Sequence, residues 1–287
     1  NQTYGNDGNT GGPQDPFKTL SQAHSKCTAG NNDVVFLTGT VSVTATVEWS
    51  KNRTHLIGLS PALNTQARAR ISQTGSTLFT PLVNVTASEC IFKNIGSFHG
   101  FADNSAQVCW VAGGGRNEYS NCLFGGMGAQ LAADHAGSRS LVVTGGDGEN
   151  TFTECQIGLD TIDRGAANAS LQFAAGSPRN TFRNCVFPAR ADAATPLFIL
   201  TAAAASLDRF QWFQDCLFVN AIDSGATAMT AAITMAASSG GMLVLQRSTL
   251  VGATDWATDA ATEGQVLIDG AAPTANASGL ALNVATT

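Results

Sequence analysis

Five cysteines recur along the chain at nearly constant spacing. They are Cys90, Cys122, Cys155, Cys185 and Cys216, separated by 32, 33, 30 and 31 residues. Each sits in a related phrase: NEYSNCLF around Cys122, NTFTECQI around Cys155, NTFRNCVF around Cys185, FQWFQDCLF around Cys216 and the weaker VTASECIF around Cys90. A period of this length is the signature of stacked structural units, each of which buries its apolar face against its neighbours.

An aromatic residue stands three places before the cysteine: Tyr119, Phe152, Phe182 and Phe213. Two places after it come Phe92, Phe124, Ile157, Phe187 and Phe218. In a strand the cysteine and the residue two later share a face, whereas the aromatic at minus three has the opposite parity. Both sets are interior only if the chain turns a corner between them. The corner pairs are Ser120-Asn121, Thr153-Glu154, Arg183-Asn184 and Gln214-Asp215; Asn and Asp tolerate the left-handed conformation of a tight bend. Apolar segments precede each corner, such as Leu141–Val143, Leu171–Phe173 and Leu197–Leu200, and polar stretches follow, such as 160–169 and 189–195. Ser248 with Leu250, and Gly58 upstream, extend the register to about seven rungs. One period then holds three short strands and a longer outward loop. The density of strands excludes a βαβ sheet, and the spacing fits neither leucine-rich repeats nor propeller blades. The expectation is an all-β, right-handed parallel β-helix. Its interior ladder would comprise Cys90, Cys122, Cys155, Cys185 and Cys216 with Phe92, Phe124, Phe187 and Phe218.

Such a ladder is unsuited to disulfides. Equivalent residues on stacked strands lie about 4.8 Å apart with parallel side chains, and a disulfide needs Cβ atoms at roughly 3.8 Å turned toward each other. The seven cysteines therefore read as free thiols, which fits a reducing compartment during folding. Charged residues make up 13% of the 287, and the net charge is −6 with no basic patch, which argues against a nucleic-acid partner. The longest apolar run, 197–205, is too short to span a bilayer, and no charged-then-apolar leader opens the chain.

The open strand edges of a β-helix have to be covered. Residues 15–27 read as an amphipathic capping helix, with Asp15 as cap, Pro16 in the first turn, and Phe17, Leu20, His24 and Cys27 on one face. Three regions follow: an N-terminal turn and capping helix over 1–32, the β-helix over 33–270 and a C-terminal tail or cap over 271–287.

The opening YGNDGNTGGPQDPFKTLSQAHSKCTAGNNDVVFLTG, with the repeated corners, resembles pectate-lyase-like β-helix proteins over nearly the whole chain. The segments NDVVFLTGTVSVTATVEWSKNRTHLIGLSP, RARISQTG and ECIFKNIG are similar to a group of tailed-bacteriophage virion proteins encoded near the major capsid protein. That second resemblance implies a structural component of the particle. It would be a non-enzymatic capsid decoration or head-associated protein and a homotrimer, with the major capsid protein or other virion proteins as partners. It would be located in the virion after assembly in the host cytoplasm, with no cofactor, nucleic acid or membrane involved.

The alternative is a tailspike-like protein that binds or cleaves polysaccharide. It requires acids grouped on one outer groove beside exposed aromatics. Asp160, Asp163 and Arg164 in GLDTIDRG, with Asp192 about one rung later, are the candidates. The aromatics in question are Trp49, Trp110, Trp212 and Trp256; Trp110 and Trp212 lie in strand segments, which favours packing. Asp134-His135 with Ser138 has the residue types of a hydrolase triad, but sequence neighbours rarely form one and no nucleophile elbow is present. The scattered histidines and periodic cysteines lack metal-ligand spacing. GGDGEN at 145–150 and GGGRN at 113–117 occupy equivalent places and read as turns. The three glycosylation-type triplets at Asn84, Asn168 and Asn276 read as chance matches. The sequence thus favours a scaffold, with no catalytic, cofactor or metal residue assigned.

Overall fold

A computed structural model describes residues 1–60, 69–221, 227–257, 265–269 and 282–284. Three parallel sheets run the length of the molecule, and each turn of the chain contributes one strand to each. The first sheet begins with β1 (Asp33–Leu37) and continues through Thr54–Gly58, Ile91–Lys93, Glu118–Ser120, Thr151–Thr153, Thr181–Arg183, Leu207–Gln214, Gly241–Gln246 and Val266–Asp269. The second runs from Thr40–Val43 to Thr249–Val251 and the third from Val47–Trp49 to Ala253–Ala257. The architecture is a parallel β-solenoid of about seven turns with very little helix.

The corner between the first two sheets is the one expected. Asn121, Glu154, Asn184 and Asp215 have φ values of 51°, 54°, 51° and 54°, and Asn94 and Arg247 repeat the bend at 56° and 47°. The bend turns both flanking strands inward. On one side Phe92, Tyr119, Phe152, Phe182 and Phe213 form a continuous stack with centroid spacings of 4.9, 4.6, 4.6 and 4.6 Å. On the other, Cys122, Cys155, Cys185 and Cys216 are buried, and each thiol donates to the backbone carbonyl of the aromatic residue one rung earlier, at 3.4–3.5 Å. All seven cysteines are free and buried.

Cys90 and Phe92 depart from the expected register. Ile91–Lys93 pairs with Glu118–Ser120, so Phe92 lies beside Tyr119 in the first sheet and belongs to the minus-three stack. The residue equivalent to Cys122 is Ile95, since Gly96 pairs with Leu123. Gly58 likewise aligns with Asn94, because Ile57 pairs with Lys93. The reason is physical: register is set by the ladder hydrogen bonds, while the outward loops vary in length, so equal counting distances need not mark equivalent places. Phe187 and Phe218 stack at 4.4 Å on the other wall, and Phe124 meets Tyr119 edge-on at 5.9 Å.

Two further ladders occupy the turn that returns the chain to the first sheet. Inside, Asn117, Asn150, Asn180 and Gln211 are buried, and each side-chain oxygen accepts the backbone N–H of the preceding rung: Cys90, Asn117, Asn150 and Asn180. These amides satisfy groups that burial would otherwise orphan. Outside, Arg53, Glu89, Arg116, Glu149 and Arg179 all take positive φ and form a stripe of alternating ion pairs along the axis.

The N-terminal end is capped, although the helix starts later than the sequence implies. α1 (Leu20–Lys26) begins at Thr19, whose hydroxyl accepts from Gln22 N–H at 3.2 Å. Asp7 binds the backbone of Lys18 and Thr19 and holds residues before 20 out of the helix, so Asp15 is not the cap. Leu20, His24 and Cys27 still face the core, and His24 lies 4.4 Å from the Trp49 ring. Lys51 Nζ binds the carbonyls of His24, Ser25 and Cys27, completing the C-terminal turn. At the far end Leu282–Val284 pairs antiparallel with Val266–Asp269. The rest of the expected tail 271–287, and Asn276, lie outside the described residues.

Candidate functional site

Outward loops connect the second sheet to the third and stack on successive rungs at 126–138, 158–168 and 190–196. The first contains α2 (Gln130–Ala133), ending at Asp134. In the second, Arg164 forms a parallel bridge with Ala191 of the third, which brings Gly165 beside Asp192. Asp134, Gly165 and Asp192 therefore succeed one another along the axis.

Gly165 supplies the gap in which the two acids meet. A Cβ on Gly165 would lie 2.7 Å from Asp134 Oδ1 and 3.3 Å from Asp192 Oδ1. The two oxygens are thus no further apart than those distances end to end, which is shorter than the roughly 6.5–9.5 Å that leaves room for a water between two carboxyls. Both aspartates are exposed. Asp134 is clamped: Gln130 Nε2 donates to both its oxygens at 3.0 Å, and Gly165 N–H donates to Oδ1 at 3.1 Å. Among the described residues Asp192 makes no side-chain hydrogen bond.

Two buried guanidinium groups lie at the loop bases. Arg164 bonds Asn168 Oδ1 at 2.7 Å, Ser170 Oγ at 3.2 Å and the carbonyl of Leu197 at 2.8 Å, tying its loop to the next rung. Arg139 bonds Gln172 Oε1 at 2.6 Å and the carbonyls of Ala136 and Ser138. Burial lowers Arg164 to about 9, with a smaller push from the charge of Arg139, and burial lowers Arg139 to about 10. At neutral pH both remain cationic. Asp163 faces Arg190 Nε at 2.9 Å, closing the side of the cluster.

The sequence candidates are partly assembled here. Asp192 is in the pair; Asp163 and Arg164 are ion-pair and anchor residues; Asp160 is exposed on the same loop, but Asp134 is the partner that Asp192 meets. No triad forms, because His135 Nδ1 accepts Gly137 N–H and buried Ser138 Oγ accepts that of Gln107. Trp49 and Trp110 are buried and Trp256 nearly so. Trp212 instead faces out from the first sheet, with Arg183 over its ring at 5.6 Å. Gly165, Gln130 and Arg139 went unread in the sequence. The available signal was the near-period step from Asp134 to Gly165 to Asp192.

Searches of protein families and of curated proteins find no match to this chain. Solved structures do match. A pectin methylesterase from Aspergillus niger is 16% identical with a TM-score of 0.59, over 90% of this chain and 81% of that one. Pectin methylesterase PemA from Erwinia chrysanthemi is 15% identical with a TM-score of 0.57, over 87% and 79%. A pectin methylesterase in complex with a hexasaccharide is 15% identical with a TM-score of 0.58, over 89% and 80%. The likeness shows the fold, a right-handed parallel β-helix like that of the pectin methylesterases. It also corrects the expectation of a non-enzymatic virion component: these structural neighbours are enzymes, and their names refer to pectin and not to a particle.

Proposed function

We propose that this protein is a polysaccharide-processing hydrolase whose reactive groups are Asp134 and Asp192. The observation that carries the reading is the convergence of the two carboxylates over Gly165. The likeness of the fold to pectin methylesterases supports it.

The short separation suits direct attack by one carboxylate over activation of a water held between two. Asp134, fixed by Gln130 and Gly165 N–H, is oriented for attack on the electrophilic carbon of a glycosidic or ester linkage. The departing oxygen takes its proton from water on the Asp192 side of the pair. In the second half-reaction Asp192 takes a proton from water, whose oxygen displaces the substrate fragment from Asp134.

The test is a panel of plant and bacterial polysaccharides, with chromatography for released sugars and alcohols. Asp134→Asn and Asp192→Asn are each expected to lower kcat/KM by roughly 10²–10⁴-fold, with the fold unchanged by circular dichroism. Turnover that survives in the double variant, or no turnover on any member of the panel, would refute the assignment.

A further inference from the structure

The N-terminal end carries a second surface, unrelated to the acidic loops. The first sheet ends at β1, which among the described residues has a strand on one side only. Leu37 C=O accepts from Leu59 N–H at 2.9 Å, so by the alternation of a parallel ladder the groups of Val35 and Leu37 face the next rung. Those of Val34 and Phe36 face away, into a cavity of about 650 Å³ between β1 and the N-terminal turn.

The other edges at this end are treated differently. Gln2 stops the second sheet with its side-chain amide, accepting Ser42 N–H at 2.7 Å and donating to Ser42 C=O at 3.1 Å. His24 of α1 packs on Trp49 at the start of the third. At β1, by contrast, Phe36 is 58% exposed, Val34 43% and nearby Leu59 57%, and inward-facing Val35 is only half-buried. Phe17 lines the same cavity. Lys18 and Lys26 border the cavity and are exposed. The acid on its lining, Asp33, is engaged by Thr28 N–H and Asn31 Nδ2, both at 2.6 Å.

We propose that this edge takes up an extended acidic peptide segment of a partner protein, which adds a strand to the first sheet. Main-chain hydrogen bonds to Val34 and Phe36 supply affinity, alternate apolar side chains fill the cavity, and flanking carboxylates meet Lys18 and Lys26. The lysines choose an acidic strand over a neutral or basic one.

The experiment uses the full chain and two labelled, end-blocked peptides, Glu-Val-Thr-Val-Thr-Glu and Lys-Val-Thr-Val-Thr-Lys, in a fluorescence anisotropy titration. The acidic peptide is expected to bind at least about tenfold more tightly, a preference that shrinks with added salt. Amide hydrogen exchange at Val34 and Phe36 is expected to slow when it binds. Val34→Pro removes an outward N–H without touching the ladder to Thr54–Gly58, and is expected to weaken binding by at least about tenfold. Equal binding of both peptides, or unchanged exchange at Val34 and Phe36, would overturn the proposal. Self-association of the chain that Val34→Pro abolishes would also overturn it, by making a second copy the occupant.

Discussion

Phe152 and Phe182 stack face to face, with ring centroids 4.6 Å apart and planes 3° from parallel. The backbone dictates this arrangement, because parallel in-register strands set equivalent side chains one rung apart in the same rotamer. Phe182 also touches Phe173 edge-on at 6.0 Å, Phe187 at 6.3 Å and Phe213 at 4.6 Å, so with Phe152 four neighbours lose a partner if it is cut back. Phe182→Ala is expected to cost about 3–5 kcal/mol, and Phe182→Leu clearly less, in urea unfolding at fixed m-value.

Asn150 tests the amide ladder. Its oxygen takes Asn117 N–H, and its nitrogen serves Gly114 C=O and Asn180 Oδ1. Asn150→Ala orphans the buried Asn117 N–H and Gly114 C=O, while Asn180 Oδ1 keeps the backbone N–H of residue 150, and is expected to destabilise by roughly 1–3 kcal/mol per unsatisfied group. Exchange of the Asn117 amide should accelerate selectively. A uniform acceleration across distant rungs would mean that the ladder is not a local device.

Gly165→Ala separates activity from stability. The new Cβ would sit 2.7 Å from Asp134 Oδ1, which is the end of a flexible side chain on an exposed loop. The carboxylate swings aside at a stability cost within about 0.5 kcal/mol, and the pair is spread. Hydrolysis should fall at least about tenfold while the unfolding midpoint stays put. Retention of the full rate would separate Gly165 from the chemistry.

The pH dependence of stability follows from two buried histidines. Burial pulls His99 below its ordinary value against the opposing bonds to Phe79 C=O and Gln107, and burial with the charge of Lys51 lowers His24. The folded state therefore resists a proton that the unfolded chain accepts below about pH 6.5. Stability is full above that pH and declines as pH falls through 6.5 toward the folded-state values, by up to about 1.4 kcal/mol per pH unit for each histidine. Urea midpoints at pH 8, 6 and 5 measure this, and His99→Gln should make the decline shallower. Midpoints flat between pH 8 and 5 would contradict the assignment.

Much of the fold was legible because the solenoid repeats its steric problem on every rung. A strand parity that contradicts itself across two polar residues forces a corner, and Asn121, Glu154, Asn184 and Asp215 adopt the left-handed bend this requires. Cys90 misled because it falls at a period-like distance while occupying the place of Asn117. The recurring Asn that opens NEYSNC, NTFTEC and NTFRNC was visible, but its role depends on a hydrogen bond between rungs that no single phrase contains. The candidate site was harder to see. Its centre is Gly165, whose contribution is a missing side chain, and the acids on either side come from loops of unequal length.

The stripe from Arg53 through Glu89, Arg116 and Glu149 to Arg179 is exposed, and each of its pairs contributes only about 0–1 kcal/mol. Its alternation nonetheless acts as a parity check on the length of the coil. Loss or duplication of one turn within the striped segment sets two like charges against each other at the seam, whereas a change of two turns restores the order. A solenoid marked in this way can grow or shrink by pairs of turns more readily than by single ones.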